Sequence, residues 1–340
     1  MPFSIIVTRD FDQMSQIAAT LVENDIAAVQ TARDEYVLGL ATGNTPSGLY
    51  KHLAKAFNAG RIDPARVRSF NLDEYVGLPG ENAEQRTLHP QSYSFFMVSE
   101  LFALLSRKFA ETNVPWGAVI DQDELIAALA SNSDDYELRG ANVGQSVSIR
   151  PEAGGYLGWI RSEILDRYAA KIEAAGGVDL QLVGVGGRGH IAFHEAGIPF
   201  ETDPMLLVQL DDNTVANAVS DGHFLRKEDS PQYAVSMSAG LVFQARTVLL
   251  VANGERKTEP ITESVLGPVT ADVPISLGQK FVADGGYLVY VLDEAAAAGL
   301  LERRDEVAAR GYNMVDVRSE EYTPVSELQF SRDPETGALT

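Results

Sequence analysis

The chain has 340 residues, 45% of them hydrophobic, which suits one large α/β domain or two smaller ones. It contains no cysteine, so disulfides, thiol catalysis and cysteine-ligated zinc are excluded. The net charge of -21 argues against a nucleic acid or an anionic membrane as partner, because both require a basic surface.

The start of the chain shows no basic segment followed by a long apolar core. No apolar run approaches the roughly 18 residues that a membrane-spanning helix requires. We therefore expect a cytoplasmic protein.

Short apolar runs alternate along the chain with segments of helical periodicity. The predicted strands are residues 4–7, 36–40, 67–72, 179–185, 205–210, 247–251 and 287–292. The predicted helices follow Asp10 and Pro46 and also span residues 92–109, 156–175 and 293–310. Such βα units with right-handed crossovers predict a doubly wound, mainly parallel sheet with helices on both faces, a Rossmann-like α/β fold.

We expect residues 1–318 to form a single domain, followed by a C-terminal tail at 319–340. Residues 131–155 are rich in Gly, Ser and Asn and are predicted to be a surface insertion. The polar stretch 201–226, which surrounds the strand 205–210, is predicted to be a mobile lid.

A turn of small residues follows the strand 36–40 and contains Thr42, Gly43, Asn44 and Thr45. We expect Thr45 to cap the next helix and Pro46 to be its first residue. The N–H groups of such a turn can bind an anion at the helix start. An ordinary strand-to-helix turn is the alternative.

Charged side chains stand at the ends of two further strands. Asp73 and Glu74 follow the third strand and could cap a helix, bind a metal or act as a general base, and the residues alone leave these three roles open. Lys257 follows the strand 247–251. It could reach a ligand at this edge of the sheet or be a solvated charge.

A glycine-rich turn ends the strand 179–185, and His190, His194 and Glu195 follow it. The glycines are Gly184, Gly186, Gly187 and Gly189. A glycine turn at the carboxyl end of a parallel strand, followed by titratable side chains, is typical of a catalytic site in an open α/β sheet.

Two other interpretations of this stretch are weaker. The glycine spacing also fits the dinucleotide fingerprint, but Gly197 and Pro199 are incompatible with the long helix that this motif opens. His190 and His194 could form a metal pair on a helix, but no third ligand occurs at a recognisable spacing. Either histidine alone could be purely structural.

The chain resembles the glucosamine-6-phosphate deaminase/isomerase family, and its relative 6-phosphogluconolactonase, in the order and spacing of LGLATGNTPSGLY, FNLDEYVGLP, GVGGRGHIAFHEAG, TVAN and VANGERK. The resemblance covers about residues 1–300, apart from the insertion. The sequence HIAF followed by Glu is similar to the deaminase branch, since lactonases usually follow the histidine with Thr-Ala.

This resemblance implies a sugar-phosphate isomerase/deaminase that opens the ring of an amino-hexose 6-phosphate, enolises it and releases ammonia and a ketose phosphate. It implies Asp73 as the enolising base, His190 as the acid/base for ring opening and Glu195 as the carboxylate that orients His190. It further implies a phosphate site formed by residues 43–45 and Lys257. We expect no cofactor, a small sugar phosphate as ligand and a homo-oligomer.

Several positions depart from the family pattern. Arg188 stands where the family has a catalytic aspartate, and we expect it to contact the substrate. Val219 stands where the family has a phosphate-binding arginine, for which Arg226 could substitute. His194 and Ala196 replace Asn and Pro beside the glutamate. A lactonase-type hydrolase and a non-catalytic sugar-phosphate-binding protein are the alternatives.

Overall fold

The computed structural model describes residues 3–141, 144–220, 222, 224–335, 337 and 339. The strands are β1 (Phe3–Thr8), β2 (Tyr36–Leu40), β3 (Val67–Asn71), β4 (Asp73–Val76), β5 (Glu111–Asn113), β6 (Tyr136–Arg139), β7 (Gln145–Ile149), β8 (Leu180–Val183), β9 (Met205–Gln209), β10 (Tyr233–Met237), β11 (Thr247–Ala252), β12 (Tyr287–Asp293) and β13 (Asn313–Asp316). The α-helices are α1 (Phe11–Gln30), α2 (Ser47–Asn58), α3 (Ala83–Thr87), α4 (Tyr93–Glu100), α5 (Gln122–Ser131), α6 (Gly155–Trp159), α7 (Arg167–Ala174), α8 (Asp212–Ser220), α9 (Ala239–Val242), α10 (Thr258–Leu266), α11 (Leu277–Ala283), α12 (Ala298–Glu302) and α13 (Arg304–Ala309). A π-helical turn, Ile160–Asp166, joins α6 to α7.

The main sheet is parallel, and in the described part of the chain it has eight strands in the order β13-β1-β12-β11-β8-β2-β3-β5. All residues of β2 and β8, at its centre, are buried. Strands covered on both faces are mostly apolar, and β2 is apolar throughout, whereas β8 also buries the polar Gln181. The predicted doubly wound, mainly parallel α/β sheet is confirmed.

The strand order reverses between β2 and β8. From β2 the chain continues through β3 to β5, whereas from β8 it continues the other way through β11 to β12. Open α/β sheets bind ligands outside the carboxyl ends of their strands at such a switch point. The turns after β2, β3, β8 and β11 therefore border one crevice.

A second, antiparallel sheet has the order β4-β10-β9-β7-β6. Leu72 connects the two sheets, since its N–H donates to Leu40 O at 3.0 Å and its carbonyl accepts from Met237 N–H at 2.8 Å. The predicted strand 67–72 therefore ends at Asn71, and β4 follows at once. The sequence patterns did not predict this second sheet.

The predicted insertion and the predicted lid both contribute strands to the second sheet. Residues 131–155 contain β6 and β7, and Val147 and Ile149 of β7 lie in the hydrophobic core. Within residues 201–226, β9 pairs with β10 on one side and with β7 on the other. A lid in this region would have to consist of residues beyond β9, where α8 begins.

Two predicted helices are shorter than expected. The segment 92–109 forms α4, which ends at Glu100, because Leu101 leaves the helical conformation with φ -136° and ψ -60°. Beyond it, Asn58 donates to Leu104 O and Lys108 donates to Phe102 O. The segment 293–310 forms α12 and α13, which are separated by the non-helical Arg303. None of the described helices is long and apolar enough to cross a membrane.

The segment after β13 lies against α1 and α2. The Tyr322 hydroxyl donates to Asp10 at 2.6 Å, and Lys55 Nζ lies 4.6 Å from the ring centre of Phe330. These contacts attach the C-terminal segment to helices on the main sheet.

Candidate active site

The turn after β2 contains residues 42–45, all of them predicted ligand contacts. Gly43 has a φ of 94°, a left-handed conformation that glycine adopts without strain. The main-chain N–H groups of Gly43, Asn44 and Thr45 donate no hydrogen bond to any described residue. Three amides in one turn are thus available to an anion.

Thr45 does not cap α2, contrary to the prediction. The helix begins at Ser47, one residue later than expected, and Pro46 precedes it without a side-chain cap. The Thr45 hydroxyl instead donates to Asn253 Oδ1 at 2.9 Å. This bond links the turn after β2 to the turn after β11, across the end of the intervening β8.

The turn after β11 is fixed by an acid from the next strand. The Gly254 N–H donates to both carboxylate oxygens of Asp293, at 3.0 and 2.9 Å. Lys257 is half-buried in the short 3-10 turn Glu255–Lys257 that leads into α10. Lys257 thus lies on the same edge of the sheet as the turn after β2.

Asp73 stands just beyond the carboxyl end of β3 and is only 6% exposed. Within the described part of the chain, no hydrogen bond engages its carboxylate. Burial, with a smaller effect of the neighbouring Glu74 charge, raises the pKa of Asp73 well above its usual value. A carboxylate in this environment is a strong proton acceptor once it is ionised.

Glu74 has a different environment, although it is adjacent to Asp73. It accepts hydrogen bonds from the N–H groups of Tyr75, Tyr93 and Ser94, at 2.9, 2.9 and 3.0 Å, and from the Ser94 hydroxyl at 3.1 Å. Burial raises the pKa of Glu74 to about 7, although these hydrogen bonds lower it. Glu74 therefore caps α4, and the neighbouring Asp73 is the acid available to a ligand.

A metal interpretation of these acids gains no support from the structure. Among the described residues, no group of three or more His, Asp or Glu side chains is arranged to hold a metal ion.

The glycine turn after β8 is shaped around His190. A Cβ atom on Gly186 would lie 1.7 Å from Nε2 of His190, so the imidazole occupies the space that a larger residue would need. The 3-10 turn Gly187–Gly189 leads into a bridge between Ile191 and His194. This turn therefore does not open the long helix of a dinucleotide site.

His190 forms a pair with Glu195. Nδ1 of His190 lies 3.1 Å from Oε2 of Glu195, which is 2% exposed. The Thr214 hydroxyl donates to Oε1 of Glu195 at 2.6 Å, and the Asp211 N–H donates to the same carboxylate. Burial would raise the pKa of Glu195, but His190, Thr214 and Asp211 together hold it below its usual value. Glu195 thus orients His190 and leaves Nε2 for proton exchange with a ligand.

Gly144, directly before β7, packs against Glu195. A Cβ atom on Gly144 would lie 2.8 Å from both Cβ and Cγ of Glu195, and 3.3 Å from Cβ of Asp211. The start of β7 therefore borders the His190–Glu195 pair.

His194 is a structural residue. Its Nδ1 accepts a hydrogen bond from the Ala239 N–H at 3.1 Å, and its Nε2 lies 3.0 Å from Ile198 O. Burial lowers the pKa of His194 to about 4, so the ring is neutral. Both ring nitrogens are engaged, which excludes the metal pair with His190.

Arg188 lies at the same turn with a φ of 54°, which is unusual for a residue other than glycine. Its Nη1 lies 3.3 Å from Oδ2 of Asp211, and its side chain is 49% exposed. The positive charge of Arg188, two positions before His190, is therefore balanced by the Asp211 carboxylate, which follows β9.

Neither of the two other residues considered for phosphate binding lies in the turn after β2 or the turn after β11. Val219 packs against an apolar cluster that includes Tyr75 and Phe193. Arg226 forms a two-point ion pair with Asp229, at 3.0 and 2.8 Å, and its side chain is 70% exposed.

Sequence reasoning missed Asp211 and Thr214, which both contact Glu195. They follow β9 in the polar sequence LDDNT. The rule for parallel strand ends does not apply to an antiparallel strand, so the available signals were this polar cluster and the TVAN motif, which begins at Thr214.

The fold and these groups define an α/β protein with a candidate acid–base site at the switch point of its sheet. No protein-family model matches the chain. The chain is 34% identical over 297 residues to glucosamine-6-phosphate deaminase of Clostridioides difficile, covering 87% of this chain and 96% of that one. It is 33% identical over 301 residues to glucosamine-6-phosphate deaminase of Shewanella loihica, covering 88% and 90%.

The fold is similar to that of a monomeric glucosamine-6-phosphate deaminase, with a TM-score of 0.65, 23% identity, and coverage of 87% of this chain and 99% of that one. It is also similar to 6-phosphogluconolactonase from Trypanosoma cruzi, with a TM-score of 0.57, 18% identity, and coverage of 88% and 98%. The chain belongs to the glucosamine-6-phosphate deaminase family, and the resemblance found in its motifs is confirmed.

Proposed function

We propose that this chain is a sugar-phosphate deaminase/isomerase, which converts an amino-hexose 6-phosphate and water into a ketose phosphate and ammonia. Glucosamine 6-phosphate or a related sugar is the substrate. The observation that carries this proposal is the buried carboxylate of Asp73, without a hydrogen bond in the described structure, on the same sheet edge as the His190–Glu195 pair.

His190 opens the sugar ring. The imidazole takes the proton of the anomeric hydroxyl and returns one to the ring oxygen, which breaks the bond between the ring oxygen and the anomeric carbon. Glu195 holds Nδ1, so Nε2 is the nitrogen that exchanges the proton with the sugar. The open aldehyde then acidifies the proton on the adjacent carbon.

Asp73 enolises the open-chain sugar. Its carboxylate removes the proton from the carbon that bears the amino group, and a proton returns to the former aldehyde carbon. Water then replaces the nitrogen, and ammonia leaves. The cationic amino group of the substrate would also favour the ionised form of Asp73, which burial otherwise disfavours.

The turns after β2 and β11 bind the phosphate group. The amides of residues 43–45, at the start of α2, supply N–H donors, and Lys257 supplies a cation. A small anion can bind there despite the net charge of -21, because these donors act locally.

Arg188 gives the substrate a further contact in place of an aspartate. The half-exposed guanidinium can donate to a hydroxyl or an anionic group of the sugar while Asp211 balances its charge. This contact favours a sugar that is more anionic than glucosamine 6-phosphate.

The test is to incubate the purified chain with glucosamine 6-phosphate and, separately, with 6-phosphogluconolactone. We expect one ammonia for each ketose phosphate, and lactone loss no faster than in a blank without protein. Lactone hydrolysis without ammonia would make the chain a hydrolase. A ligand-induced rise in Tm without turnover of a panel of amino-sugar phosphates would make it a binding protein. Either result would overturn the proposal.

A further inference from the structure

Glu195 is a buried acid that depends on donors from a distant part of the chain. It is 2% exposed, and a carboxylate at such a position requires hydrogen-bond donors to stay ionised. One of its oxygens faces His190, and the other accepts from the Thr214 hydroxyl at 2.6 Å. The contact with Thr214 spans 19 positions of sequence, so chain connectivity does not enforce it.

The donors to Glu195 come from the beginning of α8. The Val215 N–H donates to Asp211 O at 3.0 Å, which closes the first turn of this helix. Asp211 and Thr214 are separated by three positions and lie on the same side of that turn. Both contact Glu195, one through its main chain and the other through its hydroxyl.

The same turn also holds Arg188. The Asp211 carboxylate lies 3.3 Å from the Arg188 guanidinium, while the Asp211 N–H donates a hydrogen bond to Glu195. A displacement of the first turn of α8 would therefore disturb Arg188 and Glu195 together.

We propose that Thr214 is a positioning residue, which holds Glu195 against Nδ1 of His190 so that α8 controls the acid–base pair. Its kinetic consequence rests on the proposed function, whereas its effect on the imidazole does not. Without the Thr214 hydroxyl, one oxygen of Glu195 loses its side-chain donor, and the carboxylate is free to rotate away from His190. The imidazole then loses the partner that fixes its tautomer.

The experiment compares Thr214→Val, Thr214→Ser and Thr262→Val with the unchanged chain. Valine keeps the shape of threonine without the hydroxyl, and serine keeps the hydroxyl. Thr262 is the matched control, because its hydroxyl donates to Thr258 O at 2.7 Å within α10 and does not contact Glu195. The readouts are the ¹⁵N signals of the His190 ring and the steady-state rate of ammonia release.

In the unchanged chain we expect the tautomer with the proton on Nδ1. Thr214→Val should mix the tautomers and lower kcat by about 10- to 100-fold with little change in KM, the loss expected for one hydrogen bond to a charged group. Thr214→Ser should restore both, and Thr262→Val should change neither.

An unaltered His190 signal in Thr214→Val would overturn the inference, whatever the enzyme turns over. A fall in activity that Thr214→Ser does not reverse would overturn it as well. If no sugar phosphate is turned over, the proposed function fails, but the ¹⁵N signals still decide the role of Thr214.

Discussion

Asp73 and Glu74 show how two adjacent acids acquire different chemistry. Side chains of neighbouring strand residues point to opposite faces, so Glu74 meets the start of α4 while Asp73 lies on the other side of β4. Glu74 therefore receives four hydrogen bonds, and none reaches Asp73 within the described structure. This contrast supports the proposal that Asp73 takes part in the reaction, whereas Glu74 holds the start of α4.

Lys257 can be tested by the kind of ligand it affects. If it contacts the phosphate, Lys257→Ala should weaken phosphorylated ligands by about 10- to 100-fold, the worth of a charge-assisted hydrogen bond. Binding of unphosphorylated glucosamine should change by less than about threefold. Lys280→Ala, at a side chain that is 63% exposed and paired with Asp284, is the control in calorimetric titrations. Equal weakening of both ligands would make Lys257 structural.

Two glycines of the same turn form a matched pair for a test of His190. Alanine at Gly186 would meet Nε2 of His190 at 1.7 Å, whereas alanine at Gly184 would meet nothing within 4 Å. Gly186→Ala should therefore displace the imidazole and lower kcat by at least about 100-fold. Gly184→Ala should keep the ¹⁵N spectrum of His190. A fully active Gly186→Ala would show that His190 can move without consequence.

The sequence predicted the residues that follow parallel strands, because strand ends of one sheet meet at one edge. Asp73, His190 and Lys257 were all selected by this rule, and they border the switch point in the structure. Asp211 and Thr214 were not predicted, because they reach Glu195 through the second sheet. No local pattern records a contact that long-range strand pairing creates.

Among the elements, β4 of the second sheet is linked to α4 through Glu74. Two of the donors to Glu74 are the first two amides of this helix, which have no partner within the helix itself. The Glu74 side chain therefore caps the N-terminus of α4, although it lies 19 and 20 positions before the two amides that it binds.

This cap predicts a pH dependence of stability. Burial raises the pKa of Glu74 from 4.5 to about 7, so the folded chain holds the proton more tightly than the unfolded chain. Its contribution is present below about pH 4.5 and is lost as the pH rises through about 7. Between these limits the free energy of unfolding should fall by up to about 3 kcal/mol relative to that of Glu74→Gln.

Denaturant unfolding of the unchanged chain and of Glu74→Gln, measured at intervals from pH 4 to pH 8, gives this difference directly. A difference that is constant, or that favours the unchanged chain as the pH rises, would contradict the assigned environment of Glu74.

The buried strands were the elements best predicted from sequence. Residues 36–40 match β2 because a strand buried on both faces is a continuous apolar run. The helix ends were predicted less well, since side chains distant in sequence decide where carbonyl groups find donors. Beyond α4, for example, Asn58 donates to Leu104 O from 46 positions away.

In the whole molecule, both sheets contribute to the candidate site. His190 and Lys257 follow strands of the parallel sheet, Asp73 begins β4 directly after β3, and the segments next to β7 and β9 contribute Gly144 and Thr214. This division predicts that a ligand in the crevice stabilises both sheets at once.

Thermal shift measurements test which ligand does so. Hexose 6-phosphates should raise Tm, because a ligand at about 100 times its Kd adds about 2.7 kcal/mol to the stability of the folded state. NAD and NADP should not raise it, since the glycine turn leads into a bridge at Ile191 and His194. A rise in Tm with a dinucleotide alone would refute this assignment of the turn.

The most direct test of Asp73 as the base is exchange of the substrate proton beside the amino group with solvent. Glucosamine 6-phosphate is incubated in D₂O with the unchanged chain, with Asp73→Asn, and with Asp34→Asn, whose side chain is fully exposed before β2. The signal of the proton beside the amino group is then followed by NMR, and binding is checked by thermal shift. We predict that Asp73→Asn binds the sugar phosphate but loses about 100- to 10,000-fold in exchange rate, whereas Asp34→Asn keeps the full rate. Undiminished exchange with Asp73→Asn would contradict the central claim that Asp73 is the base.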